Sequence, residues 1–474
     1  MTIFRKFLLC WLILLIEPHF LIAQTLTTQL NNAIKNLEAD PQLRHAIIGF
    51  SVVETKTGKP VFEHNAQTGL AAASCQKVLT SGAAFELLGK DYRYKTELGY
   101  DGTIKDGVLN GDLFIIGSGD PTLGSWRYGS TTDSNLRKRW FSAVQKLGIK
   151  KIAGHVWGDD SKFSHLLIPG GWVWDDIGNY YGAGAGALNW RENQYELILK
   201  SGKHPGDTVK VISELPEQYN AQVFNEMISG EAGSGDQAYI YFPTLHHISL
   251  LTGTIPVNQN NFSISGSVMD PTKRVEEELL WALRSRNISA FDSTDLLRSA
   301  LFVPPHKHKA SVVFDTYLSP PLDSINYWFL KRSINLYGEA LIKTISYEKA
   351  GKGSTQKGVE LVRDFWSRQG IDRSAISMLD GSGLSPQNRL TADALVKAMQ
   401  YAKERPWFSS FYNALPEINR LKMKSGSIGG ARSFTGYSKS KNGNEYTFAI
   451  IVNNYDGSAG ELVRKMYAVL DNLK

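Results

Sequence analysis

Residues 70–89 read LAAASCQKVLTSGAAFELLG, and this stretch decides how the rest of the chain is to be assembled. Small residues lead up to Ser74. The run that follows, as far as Leu88, is almost wholly helix-compatible and mostly apolar, and Gly89 is a natural C-terminal stop. A helix of that composition is expected to be buried, so Lys77 on it needs a reason. If Ser74 opens the helix, its hydroxyl and the Lys77 ammonium project from one face. The hydroxyl then sits near the positive end of the helix dipole. An amine whose pKa is lowered by a dry site and a second cation can take the Ser74 proton, which is the Ser-Lys alternative to a Ser-His-Asp triad. The spacing alone is weak. Ser346/Lys349, Ser354/Lys357 and Ser438/Lys441 share it, and there the plain reading is a solvated pair on a helix or turn.

Working outward, residues 46–54 form a strand pattern, Thr57-Gly58-Lys59 a turn, and Pro60 to Phe62 the start of a return strand. Toward the C-terminus, helices are expected at about 324–347, 355–369, 391–403 and 459–473. Strands are expected at 432–439 and 446–453, joined by Lys441-Asn442-Gly443-Asn444, a strong hairpin signal. From about 95 to 300 the texture changes to Gly, Asp, Trp and Tyr with short runs such as Leu113-Phe114-Ile115-Ile116. Here Gly182-Ala183-Gly184-Ala185-Gly186 reads either as a flexible loop or as a close approach of backbone to a ligand. The expectation is an α/β protein in which 24–95 and 300–474 share one domain, split by a mainly β insertion at 96–299. A length of 474 residues suits two or three domains.

The first 23 residues carry Arg5 and Lys6, then the apolar run Phe7 to Ile16, then Leu21-Ile22-Ala23. This is the pattern of a secretory signal cleaved after Ala23, with an uncleaved anchor as the alternative. Its removal takes away two bases and one acid (Glu17), so the formal charge falls from +6 to +5. Such a mild balance suits an anionic wall or membrane surface, which leaves peripheral membrane association open. No concentrated Lys/Arg block marks nucleic-acid binding. Cys10 lies in the signal, so Cys75 would be alone in the mature chain and no internal disulfide is expected. Cys75 itself reads as a small buried residue or as a reactive thiol. The ten histidines show no HExxH, and neither metal nor cofactor is expected.

Two further patterns carry chemistry. Ser333-Ile334-Asn335 places a hydroxyl and a carboxamide where a short turn can aim both into a cleft, one to relay a proton and one to hold a peptide backbone. Ser324-Ile325-Asn326 has the same pattern. The later copy is preferred because Asn335-Leu336-Tyr337 leads into a helix packing face. Lys424-Ser425-Gly426-Ser427 follows a β-compatible run. An ammonium and a hydroxyl on a strand edge can grip a terminal carboxylate, and Gly426 lets a peptide pair as an added strand. Lys56-Thr57-Gly58 also fits, but reads as a hairpin turn.

In this order the three patterns resemble the Ser-x-x-Lys, Ser-x-Asn and Lys-Ser/Thr-Gly motifs of penicillin-binding proteins and serine β-lactamases. Gly111-Asp112-Leu113, Gly117 to Leu123, Trp174-Asp175-Asp176, Asp380 to Ser385 and Val452-Asn453-Asn454-Tyr455 narrow the resemblance, over roughly residues 40–472. They look like the class C low-molecular-mass penicillin-binding proteins. These are D-Ala-D-Ala carboxypeptidases and endopeptidases with a large insertion after the nucleophile.

The resemblance implies a transpeptidase-like domain, an antiparallel sheet flanked by helices, with the insertion forming two further domains. It implies a Ser74 acyl-enzyme, with Lys77 as base, Ser333 as proton relay and Asn335 as substrate holder. Lys424 and Ser425 would grip the carboxylate, and the N–H groups of Ser74 and Ser427 would form the oxyanion hole. Peptidoglycan stem peptides would be the substrate and β-lactams would trap the enzyme. Trp172, Asp175 and Tyr180 are the candidate stem-peptide pocket. The sequence departs at Pro386, where relatives often carry Arg; here Arg389 comes later. That leaves stem side-chain specificity open, as it does the balance of carboxypeptidase and endopeptidase cleavage. A β-lactamase, which would need a base for rapid deacylation, has no Glu motif to nominate. A non-catalytic wall-binding module would have no use for Lys77.

Overall fold

The computed structural model describes residues 26–215, 222–241, 248–291 and 309–474. The expected leader at 1–23 and the expected junction at 300 lie outside these residues.

The organising element is a six-stranded antiparallel sheet ordered Glu417–Ile418, Leu421–Ile428, Ala431–Lys439, Glu445–Asn453, Ile47–Glu54 and Pro60–His64. N-terminal and C-terminal strands therefore hydrogen-bond side by side. Glu445–Asn453 shows why its sequence is a continuous apolar run rather than an alternation: every residue after Glu445 is buried. On one face Phe448, Ile450 and Val452 pack with Phe50 and Val52. They meet Leu462, Met466 and Leu470 of the helix Ala459–Leu470, and Leu30 and Ile34 of the helix over 26–38. On the other face Ala449 and Ile451 join the core around the helix Lys77–Leu88.

That helix is buried from Lys77 through Phe85. An apolar surface on all sides has to be covered on all sides. The helices Leu322–Lys331, Asn335–Ala350, Thr355–Arg368 and Ala392–Lys403 pack around it. Gly82 allows the Trp366 ring in, since a Cβ there would lie 2.9 Å from it, and the Trp366 indole donates to the Leu79 carbonyl at 3.0 Å.

One expected helix is two. The pattern over 324–347 breaks at Arg332-Ser333-Ile334, between Leu322–Lys331 and Asn335–Ala350, with Ser333 at φ +57°. No glycine or proline marks the break. A left-handed serine is locally unfavourable and is held there by its surroundings.

Among the described residues between Tyr94 and Ser319 the chain builds three more sheets of seven, three and four strands. Lys95–Tyr100 pairs with Val312–Leu318, so this middle segment leaves and returns side by side. The seven-stranded sheet is mixed, with parallel pairing of Leu113–Ile116 on Lys151–Asp159. The helices Asp133–Lys146 and Pro271–Arg284 pack together, the second also against Lys151–Asp159. Those two helices were not evident from the local texture. The glycines of 182–186 serve close packing within the protein itself. A Cβ on Gly182 would lie 2.0 Å from the Asp176 carbonyl oxygen, and one on Gly184 would lie 2.7 Å from the Leu167 carbonyl.

Burial on both faces of one strand has a measurable consequence. Ile450→Ala and Ile451→Ala should each destabilise the protein by about 2–5 kcal/mol. A neutral result for either in chemical denaturation would contradict the two-sided packing.

Candidate active site

Ser74 lies in a single 3-10 turn, Ala73–Gln76, that runs directly into the helix Lys77–Leu88. The preceding Ala73 has φ +45°, a strained value for a residue with a side chain. The turn is braced from both sides. A Cβ on Gly383 would lie 2.0 Å from the Ala73 carbonyl oxygen, and one on Gly426 2.3 Å from that of Ala72. The Ser433 hydroxyl also donates to Ala72, at 2.6 Å. The close approach falls on the backbone of Ala72 and Ala73, so it is Gly383 and Gly426 that have to lack a side chain.

The Lys77 side chain is fully buried and its Nζ has three partners. It lies 2.8 Å from Ser74 Oγ, 2.7 Å from Asn335 Oδ1 and 2.7 Å from the Ser382 carbonyl oxygen. The Asn335 amide is oriented by its other end, where Nδ2 donates to the Tyr181 carbonyl at 2.8 Å. Burial holds the Lys77 pKa well below that of an ordinary lysine, and the nearby Lys424 ammonium adds to this. Lys424, on the strand Leu421–Ile428, is itself 1% exposed and donates to the Ser425 carbonyl. Burial lowers its pKa to about 8.

Two of the three patterns therefore meet through direct contacts at Lys77, and the third through the packing of Gly426 on the Ser74 turn. Ser333 stands half-buried two residues before Asn335. Ser425 is half-buried and Ser427 exposed on the strand that packs against the turn. Asp175 and Tyr180 are exposed on the segment that ends at Tyr181, and Asp175 accepts from the Tyr241 hydroxyl at 2.6 Å. Trp172 is instead 8% exposed, with its indole donating to Asp380 Oδ2 at 2.9 Å. Arg389 folds back on its own loop, donating to the Pro386 and Asn388 carbonyls.

Sequence reasoning missed what holds this site together. Asp380 is fully buried and accepts from Trp172, Gln76, Asn388 and the N–H groups of Gly383 and Ser385. The turn it organises presents the Ser382 carbonyl to Lys77. Glu339, also buried, accepts from Gly381 N–H through both oxygens, and burial followed by the neighbouring Asp380 pushes its pKa up to about 8. The signal was present as carboxylates inside otherwise apolar or glycine-rich runs, but spacing gave them no partner. Cys75 is fully buried with Sγ on the Lys424 carbonyl at 3.1 Å, and burial raises its pKa to about 11.

A sheet with helices on both faces, and a fully buried amine held 2.8 Å from a serine hydroxyl, define a serine-type hydrolase. The chain belongs to the D-Ala-D-Ala carboxypeptidase 3 (S13) family, whose profile matches residues 30–473. It is accordingly a D-Ala-D-Ala carboxypeptidase, a serine-peptidase hydrolase. The D-alanyl-D-alanine carboxypeptidase of Actinomadura sp. (strain R39) is 27% identical over 468 residues, covering 93% of this chain and 84% of the relative. The D-alanyl-D-alanine carboxypeptidase DacB of Haemophilus influenzae is 25% identical over 440 residues, covering 88% and 87%. The crystal structure of penicillin binding protein 4 (dacB) from Haemophilus influenzae superposes with a TM-score of 0.76 at 21% identity, over 95% of this chain and 98% of that one.

The burial of Cys75 makes it unreactive despite its position beside Ser74. Iodoacetamide at mildly alkaline pH should leave the native protein unmodified and alkylate Cys75 after unfolding. Rapid alkylation of the folded protein would show the thiol to be accessible.

Proposed function

We propose that Ser74 attacks the penultimate D-Ala carbonyl of a peptidoglycan stem peptide, releases the terminal D-Ala and is freed from the acyl-enzyme by water. The observation that carries this reading is the set of partners on Lys77 Nζ. A neutral amine has two N–H donors and one lone pair. The Ser382 carbonyl and Asn335 Oδ1 can only accept, so they use the two donors. The lone pair is then left facing Ser74 Oγ, whose hydrogen can be donated to it. The lowered Lys77 pKa favours this neutral form, and the adjacent Lys424 charge helps to maintain it.

In this reading Ser333 relays the proton to the leaving amine and Asn335 holds the substrate backbone. Lys424 and Ser425 hold the terminal carboxylate, with Gly426 allowing the peptide to lie along the strand. Ser74 and Ser427 N–H groups receive the developing oxyanion, an interaction worth about 3–4 kcal/mol per donor in comparable sites. Asp175 and Tyr180 face the stem peptide, while Trp172 supports the Asp380 turn from behind. The same acyl-enzyme serves carboxypeptidase and endopeptidase cleavage, which differ only in what occupies the leaving side. A β-lactam acylates Ser74 in the same way; a Haemophilus influenzae penicillin binding protein 4 structure holds a β-lactam, at 20% identity to this chain. We further propose that 24–95 and 300–474 act as one catalytic unit, supported by the shared sheet. The basic and apolar pattern of residues 1–23 supports export to the periplasm.

Mass spectrometry after labelling with a fluorescent penicillin should find the adduct on the peptide containing Ser74, and none in Ser74→Ala. Lys77→Met should slow acylation by about 10²–10⁴-fold, the usual contribution of a positioned base. A wild-type acylation rate in Lys77→Met would remove it from that role.

The pH profile follows from two shifts. Lys77 has a lowered pKa, so kcat/KM should rise with pH as it loses its proton. Lys424 is an ammonium below about pH 8 and neutral above, so its grip on a carboxylate, and with it kcat/KM, should fall above about pH 8. Lys424→Arg should abolish that alkaline limb, because guanidinium does not deprotonate in this range. Persistence of the limb near pH 8 in that variant would assign it to another group.

A further inference from the structure

We infer that the middle segment is part of the catalytic machinery: Glu192 is a positioning residue that, through Tyr337, sets the Asn335 amide against Lys77. The inference rests on the Ser-Lys reading above.

Arg191, Glu192 and Asn193 have φ of +50°, +57° and +52°. Three consecutive left-handed residues with side chains are held only where the surroundings over-determine them. The side chains show what holds this turn. Glu192 is fully buried, and Oε1 accepts from Ser125 Oγ at 2.8 Å, Arg127 Nε at 2.7 Å and Tyr337 OH at 2.8 Å. Asn193, also fully buried, donates to the Gly184 carbonyl at 2.9 Å.

These two neighbours grip the two sides of one contact. Tyr337 lies on the helix Asn335–Ala350, two residues after Asn335. Gly184 lies three residues after Tyr181, whose carbonyl accepts from Asn335 Nδ2. Lys343, farther along the same helix, fastens it to the same segment through the Ala185 carbonyl at 2.7 Å and the Leu166 carbonyl at 2.8 Å. The helix is thus clamped to the segment at three levels, with Asn335 at the first.

The chemical consequence follows from donor and acceptor identity. The Tyr181 carbonyl can only accept, so it demands the NH2 end of Asn335 and turns Oδ1 toward Lys77. Without that demand the amide can rotate and offer Lys77 a donor instead. The neutral amine would then lose one of the two acceptors that aim its lone pair at Ser74. Glu192 touches neither substrate nor Ser74; it acts by fixing the helix and the loop that meet at this amide.

The test compares Tyr337→Phe, Glu192→Gln and a control, Lys352→Met. The control removes a different bond between the middle segment and the catalytic side, Lys352 Nζ to the Ser161 carbonyl at 2.6 Å. Acylation by benzylpenicillin is followed by stopped flow, separating the pre-acylation dissociation constant from the acylation rate constant. Tyr337→Phe should slow acylation about ten- to hundredfold, the scale expected for a small misplacement of a reacting group, with the dissociation constant nearly unchanged. Glu192→Gln should slow it in the same step, and Lys352→Met should acylate like wild type. If Glu192→Gln fails to fold, Tyr337→Phe decides alone, since it removes one oxygen and keeps the ring. Wild-type acylation in Tyr337→Phe overturns the inference. So does equal slowing in Lys352→Met, which would indicate general loosening. Failure of the Ser-Lys reading is seen separately, as the absence of any Ser74 adduct in the wild type.

Discussion

An amine sealed away from water, with three oxygens around it, is the constraint on which the structure turns. Desolvation removes the main reason for a lysine to carry its proton. Three fixed partners then decide where its hydrogens and its lone pair can point. The proposed attack by Ser74 depends on that setting, because an exposed lysine would remain charged and an exposed serine would be hydrated. The apolar helix, the sheet beside it and the helices around it together provide the dry volume.

The partners of Lys77 come from distant parts of the chain. Asn335 is 258 positions away and the Ser382 carbonyl 305. Each is fixed by a buried carboxylate or carbonyl of its own. Asp380 and Glu339 shape the turn carrying Ser382, while the Tyr181 carbonyl and the Glu192 turn hold Asn335. A buried polar group left unpaired costs free energy, so these groups specify one arrangement more sharply than apolar packing does. The middle segment, which could be taken for a mere accessory, supplies part of this second layer.

Local pattern could not separate true motifs from decoys on its own. Ser324-Ile325-Asn326 and Ser333-Ile334-Asn335 have the same spacing. The first lies within the helix Leu322–Lys331, with Asn326 fully buried and its amide without a hydrogen-bond partner among the described residues. The second straddles a left-handed break and reaches Lys77. Lys56-Thr57-Gly58 closes a hairpin turn, where Thr57 donates to Glu54. Trp172 was nominated for a pocket on sequence grounds, yet it is buried with its indole committed to Asp380. In each case the residue type was legible and its surroundings were not, since surroundings depend on which distant segments pack there.

From sequence alone came the elements whose information is local: the strand-turn-strand over 46–64, the helix after Ser74 with its glycine stop, the C-terminal hairpin and helix, and the order of the three motifs. Hydrophobic periodicity, turn chemistry and spacing act over a few residues, so they can be read along the chain. Tertiary structure decided the break at Ser333, the helices of the middle segment, the orientation of the Asn335 amide and the lowered pKa of Lys77. Those depend on burial and on oxygens brought from far along the chain, and neither desolvation nor a long-range hydrogen bond has a signature in the order of residues.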